Sequence, residues 1–291
     1  MSFKTITIIT PSLNQGQFIE ETILSVLYQA GPFYLDYIIA DGGSSDNTIA
    51  IIKKYDFLLK KNKFPIKCKG ILYRWWSHPD KGQVNAINKG FKLCKGEILS
   101  WLNSDDFYKP NTLKTIFLKF KQNYNYDLIY GDCLMLNQSQ NTKKIIKARP
   151  GNFKQFLTRG HDICQPSAFF TKKIINQVGL LNENMNYAFD YDLWLKILKQ
   201  SQGLYIPQTL STFRLWEKSK TISSPKKFLK ERQQIFKRYG GNIIDPKVIY
   251  KIRAMIPFSK SIKQKFPKIY NLCKNTFYFF IDKIKHNSKH K

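Results

Sequence analysis

The sequence predicts an α/β fold with a largely parallel sheet. Two observations carry this: short apolar runs alternate with amphipathic helical stretches, and each run stops at a cluster of Pro, Gly, Ser, Asn or Asp residues. In open sheets of this kind ligands bind at the carboxyl ends of the strands, where the polar clusters fall.

The first unit is the β-branched run Thr5–Thr10, closed by Pro11-Ser12-Leu13-Asn14 and followed by a helix with Ile19, Ile23, Val26 and Leu27 on one face. The second is Tyr37–Asp41, a strand ending in a carboxylate. The loop after it, Gly42-Gly43-Ser44-Ser45-Asp46-Asn47-Thr48, has glycines that let backbone approach a ligand, and Ser45 or Asp46 can cap the helix carrying Ile49, Ile52 and Tyr55. The third polar cluster, Ser77–Gln83, precedes a helix with Asn85, Ile87 and Asn88. The fourth unit is the apolar run Glu97–Leu102, which passes directly into Asn103-Ser104-Asp105-Asp106. Oxygen ligands at a strand end suit a hard divalent cation and the phosphates it carries. Read alone, the same stretch also fits a turn in which Asp106 caps the next helix.

Taken together, Thr10–Asn14, Asp41–Asp46, Asp80-Lys81-Gly82, Asn103–Asp106 and Phe189–Trp194 resemble the family 2 glycosyltransferases of GT-A fold, over roughly residues 4–220. Their order and spacing are specific, although each motif is weak by itself. The resemblance implies a GT-A (Rossmann-like) nucleotide-sugar-binding domain with a mixed, mostly parallel sheet. It places Pro11, Ser12, Asn14, Asp41 and Gly43 on the donor side, with Pro11 and Asp41 lining the base and ribose pocket. Asp80, Lys81, Gly82 and Asn85 would stand near the base or diphosphate. Asn103 and Ser104 would touch the donor, and Asp105 would ligate Mg²⁺ or Mn²⁺. His161, Gln165, Pro166 and Arg214 fall on the acceptor side, and Asp190 is the implied catalytic base of an inverting transfer.

Three positions depart from the family pattern. Asn103 replaces the first Asp of the DxD motif, which removes one formal charge and predicts weaker metal binding. Phe189 stands where relatives often carry Glu. Trp216 occupies the place of a His found two residues after the Arg, and an indole cannot ligate a metal.

The residues around Asp190 support a functional role independently. Positions 190, 193, 194 and 197 share one helical face, so a carboxylate stands on an otherwise apolar stripe near a helix start. An acid there must be paired, solvated by a cavity or in use; the competing reading is an N-capping Asp. Asp192 points elsewhere and reads as a cap or a surface ion-pair partner. The chemistry that follows is loss of a nucleoside diphosphate with its charge neutralised by a cation, and attack by an acceptor hydroxyl that gives its proton to Asp190.

Composition bounds the rest. The 291 residues, 43% hydrophobic and 15% aromatic, suffice for one sizeable core and a smaller appendage. No stretch of 18 apolar residues and no leader-like segment is present, so a cytoplasmic protein is expected. Five widely spaced cysteines, Cys68, Cys94, Cys133, Cys164 and Cys273, read as reduced structural residues.

The net charge of +28 is uneven. Residues 221–291 hold 18 Lys/Arg against 3 Asp/Glu, mixed with apolar residues such as Phe236, Tyr239, Phe258 and Phe277. Pro246, Pro257 and Pro267 would break this stretch into short helices. We therefore expect a catalytic domain over 1–222 and a basic amphipathic helical tail over 223–291, held peripherally at the inner face of the cell membrane by anionic lipid. The bland alternative is a Lys-rich, AT-rich composition. The expected partners are a nucleotide-diphosphate sugar, UDP-linked, and a glycan or polyprenyl-linked acceptor in surface polysaccharide synthesis. Nucleic acid is not expected: the tail has no recognition module, and Asp105-Asp106 would repel phosphate without a metal. Nucleotidyltransferases are disfavoured by the missing Gly-rich loop, while a non-catalytic nucleotide-sugar binder remains a reading motivated by Asn103 and Phe189.

Overall fold

A computed structural model of the 291-residue chain describes residues 3–159, 163–217 and 219–241. The elements of the first half are β1 (Thr5–Ser12), α1 (Ile19–Leu27), β2 (Tyr34–Asp41), α2 (Thr48–Lys60), β3 (Gly70–Ser77), α3 (Gln83–Leu93), β4 (Ile98–Trp101), β5 (Phe107–Tyr108) and α4 (Thr112–Gln122). The second half adds β6 (Tyr126–Asn137), β7 (Thr142–Ile146), α5 (Phe153–Arg159), β8 (Ala168–Thr171), α6 (Lys172–Val178), α7 (Phe189–Gln200), β9 (Gln202–Leu215), α8 (Lys220–Ser223) and α9 (Pro225–Arg238).

The strands form one nine-stranded sheet in the order β3-β2-β1-β4-β8-β6-β9-β5, with β7 paired to β6. The β3-β2-β1-β4 half is parallel, as strand–helix alternation requires. Strand β8 enters antiparallel between β4 and β6, and β9 runs parallel to β6. Strands β5 and β7 add antiparallel edges, so the sheet is mixed with most strands running one way.

Both faces are covered, which explains why the strands are apolar at successive positions rather than at alternate ones. On β1, Ile6 and Ile8 face one layer and Ile9 the other. The first layer is built by α1, α2 and α4 through Ile19, Ile23, Val26, Ile52, Tyr55, Ile116 and Phe120. The second is built by α3, α5, α6, α7 and α9, with Trp101 and Trp194 stacked at 5.7 Å between ring centroids in its centre. Close approach of α3 to β1 depends on Gly90, where a Cβ would lie 2.8 Å from the Ile9 side chain.

Several sequence expectations change here. Asp106 does not cap the next helix; the residue before α4 is Asn111, and Asp106 is buried. Helix α2 is preceded by Asn47 without a side-chain cap, although Asp46 accepts the Thr48 N–H at 3.0 Å. Asp192 is buried rather than superficial, because Lys196 (3.1 Å) and Arg238 (2.9 Å) both pair with it.

Beyond the boundary expected at 222/223, the described residues to 241 still include core contacts. Helix α9 buries Leu229, Ile235 and Phe236, and the Tyr239 ring meets Phe153 at 5.8 Å. Phe236 and Tyr239 are thus core contacts, not tail residues. Residues 242–291, with Pro246, Pro257, Pro267, Phe258, Phe277 and Cys273, lie outside the described residues. Cys68, Cys94, Cys133 and Cys164 are free thiols. No described helix is long and apolar enough to cross a membrane.

Candidate active site

The parallel strands β1 and β4 end beside each other, and the loops that follow them open onto a cavity of about 550 Å³. It is lined by Pro11, Ser12, Asp80, Gly82, Asn103, Ser104, Asp105, Gln165, Pro166 and Asp190 among the residues singled out from sequence. Five separated segments of the chain therefore converge on one space.

Neighbouring loops are held by side chains that the sequence also marked, of which Asp41, Asn14 and Asn85 do not line the cavity. Asp41 is fully buried. Its carboxylate accepts from the N–H groups of Gly43 (3.0 Å) and Ser44 (2.8 Å), from Ser77 Oγ (2.6 Å) and from Ser44 Oγ. It organises the β2–α2 loop and ties it to the end of β3. Asn14, at φ +52°, joins the first loop to the second by accepting the Ser45 N–H at 2.9 Å. Asp80 accepts the Gly82 N–H at 2.7 Å just ahead of α3. Asn85 donates to Glu183 at 3.0 Å and receives a long 3.4 Å bond from the Lys81 N–H.

The Asn103–Asp106 loop is the most heavily braced. Gln83 donates to Asn103 Oδ1 at 2.7 Å, and Gln165 donates to the Trp101 carbonyl at 2.7 Å. From behind, Thr22 donates to the carbonyls of Ser104 and Asp106. Asp106 accepts the Arg214 N–H at 3.0 Å. Burial pushes the Asp106 carboxyl well above the ordinary carboxylate range, and the adjacent Asp105 charge pushes it further.

Arg214, expected on the acceptor side, does not line the cavity. Its Nε donates to the Asp105 carbonyl at 3.0 Å, its Nη2 pairs with Glu21, and its guanidinium covers the Phe18 ring at 4.6 Å. It is a buttress of the loop. His161 lies outside the described residues.

Asp105 faces the cavity, and its Oδ2 accepts the Trp216 indole N–H at 2.8 Å. The residue that replaces the family's His thus hydrogen-bonds the carboxylate instead of joining a ligand set. Burial raises the Asp105 pKa, while the indole bond and the Arg214 charge oppose the shift. Among the described residues no group of three or more His, Cys, Asp or Glu forms a metal cage. One carboxylate beside the Asn103 amide still fits a hard cation that takes its remaining ligands from phosphates and water, the usual manner of Mg²⁺.

Asp190 lies in the first turn of α7, where Leu193, Trp194 and Ile197 of the same face are fully buried and Asp190 itself reaches the cavity. The Tyr191 N–H donates to its Oδ1 at 2.8 Å. The start of α7 is fixed from α9: Glu231 accepts the N–H groups of Asn186, Tyr187 and Ala188 at 2.9, 2.8 and 2.8 Å. Sequence reading missed Gln83, Glu231 and Lys220 as site-forming residues. No spacing distinguishes Lys220 or Glu231 from the many other charged residues, whereas Gln83 at a helix start after a Gly was a usable signal.

The family model described as "Glycosyl transferase family 2" matches residues 7–179. The chain belongs to glycosyltransferase family 2. The chain is 27% identical over 228 residues to an uncharacterised glycosyltransferase of Rickettsia typhi, covering 74% of this chain and 65% of the relative. It is 26% identical over 192 residues to the chondroitin synthase of Escherichia coli, covering 66% of this chain and 26% of that protein. The chain thus spans less than two thirds of the length of these relatives. Its fold is GT-A, similar to S. aureus TarS 1–349 in complex with UDP-GlcNAc, at TM-score 0.60 and 16% identity, covering 90% of this chain and 76% of that one. A mannosyltransferase from Pyrobaculum calidifontis in complex with GDP-Man and Mn²⁺ aligns at TM-score 0.57 and 14% identity, covering 85% of this chain and 67% of that one.

Proposed function

We propose that this glycosyltransferase moves one sugar from a UDP-linked donor to a hydroxyl of a glycan or polyprenyl-linked acceptor, with inversion at the anomeric carbon. The observation that carries the reading is that Asp105 and Asp190, from distant parts of the chain, line one cavity. Asp105, with Asn103 beside it, would hold Mg²⁺ or Mn²⁺. A bound cation supplies charge neutralisation for the departing diphosphate.

The remaining roles belong to the protein. Asp190 stands on a rigid helix whose other inward residues are buried, so its carboxylate is held ready to take the proton of the incoming hydroxyl. The bonds from Gln83 and Gln165 fix the Asn103 loop and the wall opposite, limiting reorganisation when substrate binds. Attack from the side opposite the leaving diphosphate inverts the configuration. The ¹H NMR spectrum of the first sugar released by slow donor hydrolysis tests this: an α-linked donor yields β-sugar before mutarotation, and initial α-sugar contradicts it.

The basic C-terminal residues support a place at the inner face of the cell membrane, where lipid-linked acceptors for surface polysaccharide are met. Residues 242–291 carry 12 Lys/Arg against 2 Asp/Glu, a composition drawn to anionic headgroups.

A further inference from the structure

The cavity is electrostatically lopsided. Its described lining includes the carboxylates of Asp80, Asp105 and Asp190 but one basic side chain, Lys220 at the start of α8. The Lys220 Nζ donates to Gln83 Oε1 at 2.9 Å and to the Asn186 carbonyl at 3.2 Å. Both partners are uncharged, so neither neutralises the ammonium, and an ammonium has three N–H donors. Loss of water around the amine lowers its pKa, opposed by Tyr187 and then by Glu231 nearby. Glu231 is itself occupied by three backbone N–H groups.

Two routes connect Lys220 to the reacting centre. Through Gln83 it is linked to Asn103, two residues before Asp105. Through Asn186 it is linked to the segment that leads into α7 and Asp190. A cation at this junction, hydrogen-bonded to neutral oxygens that phosphate oxygens can replace, is suited to an anionic ligand entering the cavity. A phosphate oxygen carries a charge opposite to the ammonium and so adds a Coulomb attraction that a neutral amide oxygen lacks.

We infer that Lys220 is a binding residue for the diphosphate of the nucleotide donor, closing over it from the C-terminal side of the site. This rests on the nucleotide-sugar reading above. It also assigns a role to the segment after β9, which neither the motifs nor the domain boundary suggested.

The test is calorimetric titration of the full chain with UDP and with UMP, in Mn²⁺ and again in EDTA, for wild type, Lys220→Ala, Lys220→Met and Lys220→Arg. Lys220→Ala and Lys220→Met should weaken UDP binding roughly tenfold or more, the scale of a charge-assisted bond, with a smaller effect on UMP. Lys220→Arg should retain most of the affinity, and the relative loss in the neutral variants should be larger in EDTA. Equal losses for UDP and UMP, or no loss, in variants that melt within a few degrees of wild type would overturn the assignment. If wild type bound UDP as expected, that result would leave the nucleotide-sugar reading intact. Absence of binding by wild type across UDP, GDP, CDP, ADP and dTDP would instead remove that reading and the Lys220 role with it.

Discussion

Asp105 and Asp106 are adjacent in sequence but perform unrelated tasks. Asp105 reaches the cavity and shares its carboxylate with the Trp216 indole, whereas Asp106 is buried and holds the Arg214 backbone. Because burial favours the neutral form of Asp106, Asp106→Asn should be nearly neutral. Asp106→Ala leaves buried donors unpaired and should cost about 1–3 kcal/mol. Urea unfolding of the two variants checks this; equal destabilisation would mean that charge, not hydrogen bonding, keeps Asp106. Asn103→Asp should tighten Mn²⁺ binding in the presence of UDP, read by electron paramagnetic resonance of free Mn²⁺. An unchanged titration would place residue 103 out of reach of the cation. Sequence made Asp105 and Asp190 legible because each breaks a local rule, a polar group at a strand end and an acid on an apolar stripe. The tasks of Asp41, Asp106 and Arg214 were not legible. Each has a partner on another element, from 36 residues away for Asp41 and Ser77 to 193 for Arg214 and Glu21, and motif order alone does not give such contacts.

At the scale of elements, β1, β2 and β4 of the parallel half of the sheet could be read in advance. These strands are β-branched or apolar runs, and the helices between them carry clear inward stripes. The antiparallel insertion of β8 and the parallel pairing of β6 with β9 could not, since pairing order is settled by long-range packing. The core role of helix α9, within a stretch expected to be helical, was hidden for another reason: its charged residues dominate, while Leu229, Ile235 and Phe236 supply the core contacts. Its polar residues are also engaged. The Arg232 guanidinium lies 4.0 Å from the centre of the Tyr191 ring, and Glu231 fixes the entry to α7. Removing residues 225–291 should therefore give an insoluble or unfolded protein, because the start of the Asp190 helix loses its anchor. Removing residues 242–291 should leave a cooperative thermal transition and UDP binding intact. A folded, UDP-binding product of the longer deletion would show that α9 is dispensable for the site.

For the molecule as a whole, charge divides the work. The described unit carries the converging carboxylates, and residues 242–291 add a net +10. If those residues hold the protein to membrane, the full chain should sediment with vesicles containing phosphatidylglycerol. Binding should weaken as salt rises from about 0.1 M to 1 M, where the screening length falls from ~10 to ~3 Å. The chain lacking 242–291 should stay in the supernatant. Equal sedimentation of the two would assign the Lys excess to composition alone.

The central claim is that Asp105 and Asp190 serve one glycosyl-transfer site. It is tested most directly by incubating the purified chain with a panel of nucleotide sugars in Mg²⁺ or Mn²⁺ and measuring the nucleoside diphosphate released. Wild type should turn over at least one donor, a UDP-sugar on this account, and Asp105→Asn should abolish the metal-stimulated rate. Asp190→Asn should lower acceptor-dependent turnover by roughly 10²-fold or more while donor affinity changes little. Wild-type rates in both variants, or no turnover of any donor by folded wild-type protein, would contradict it.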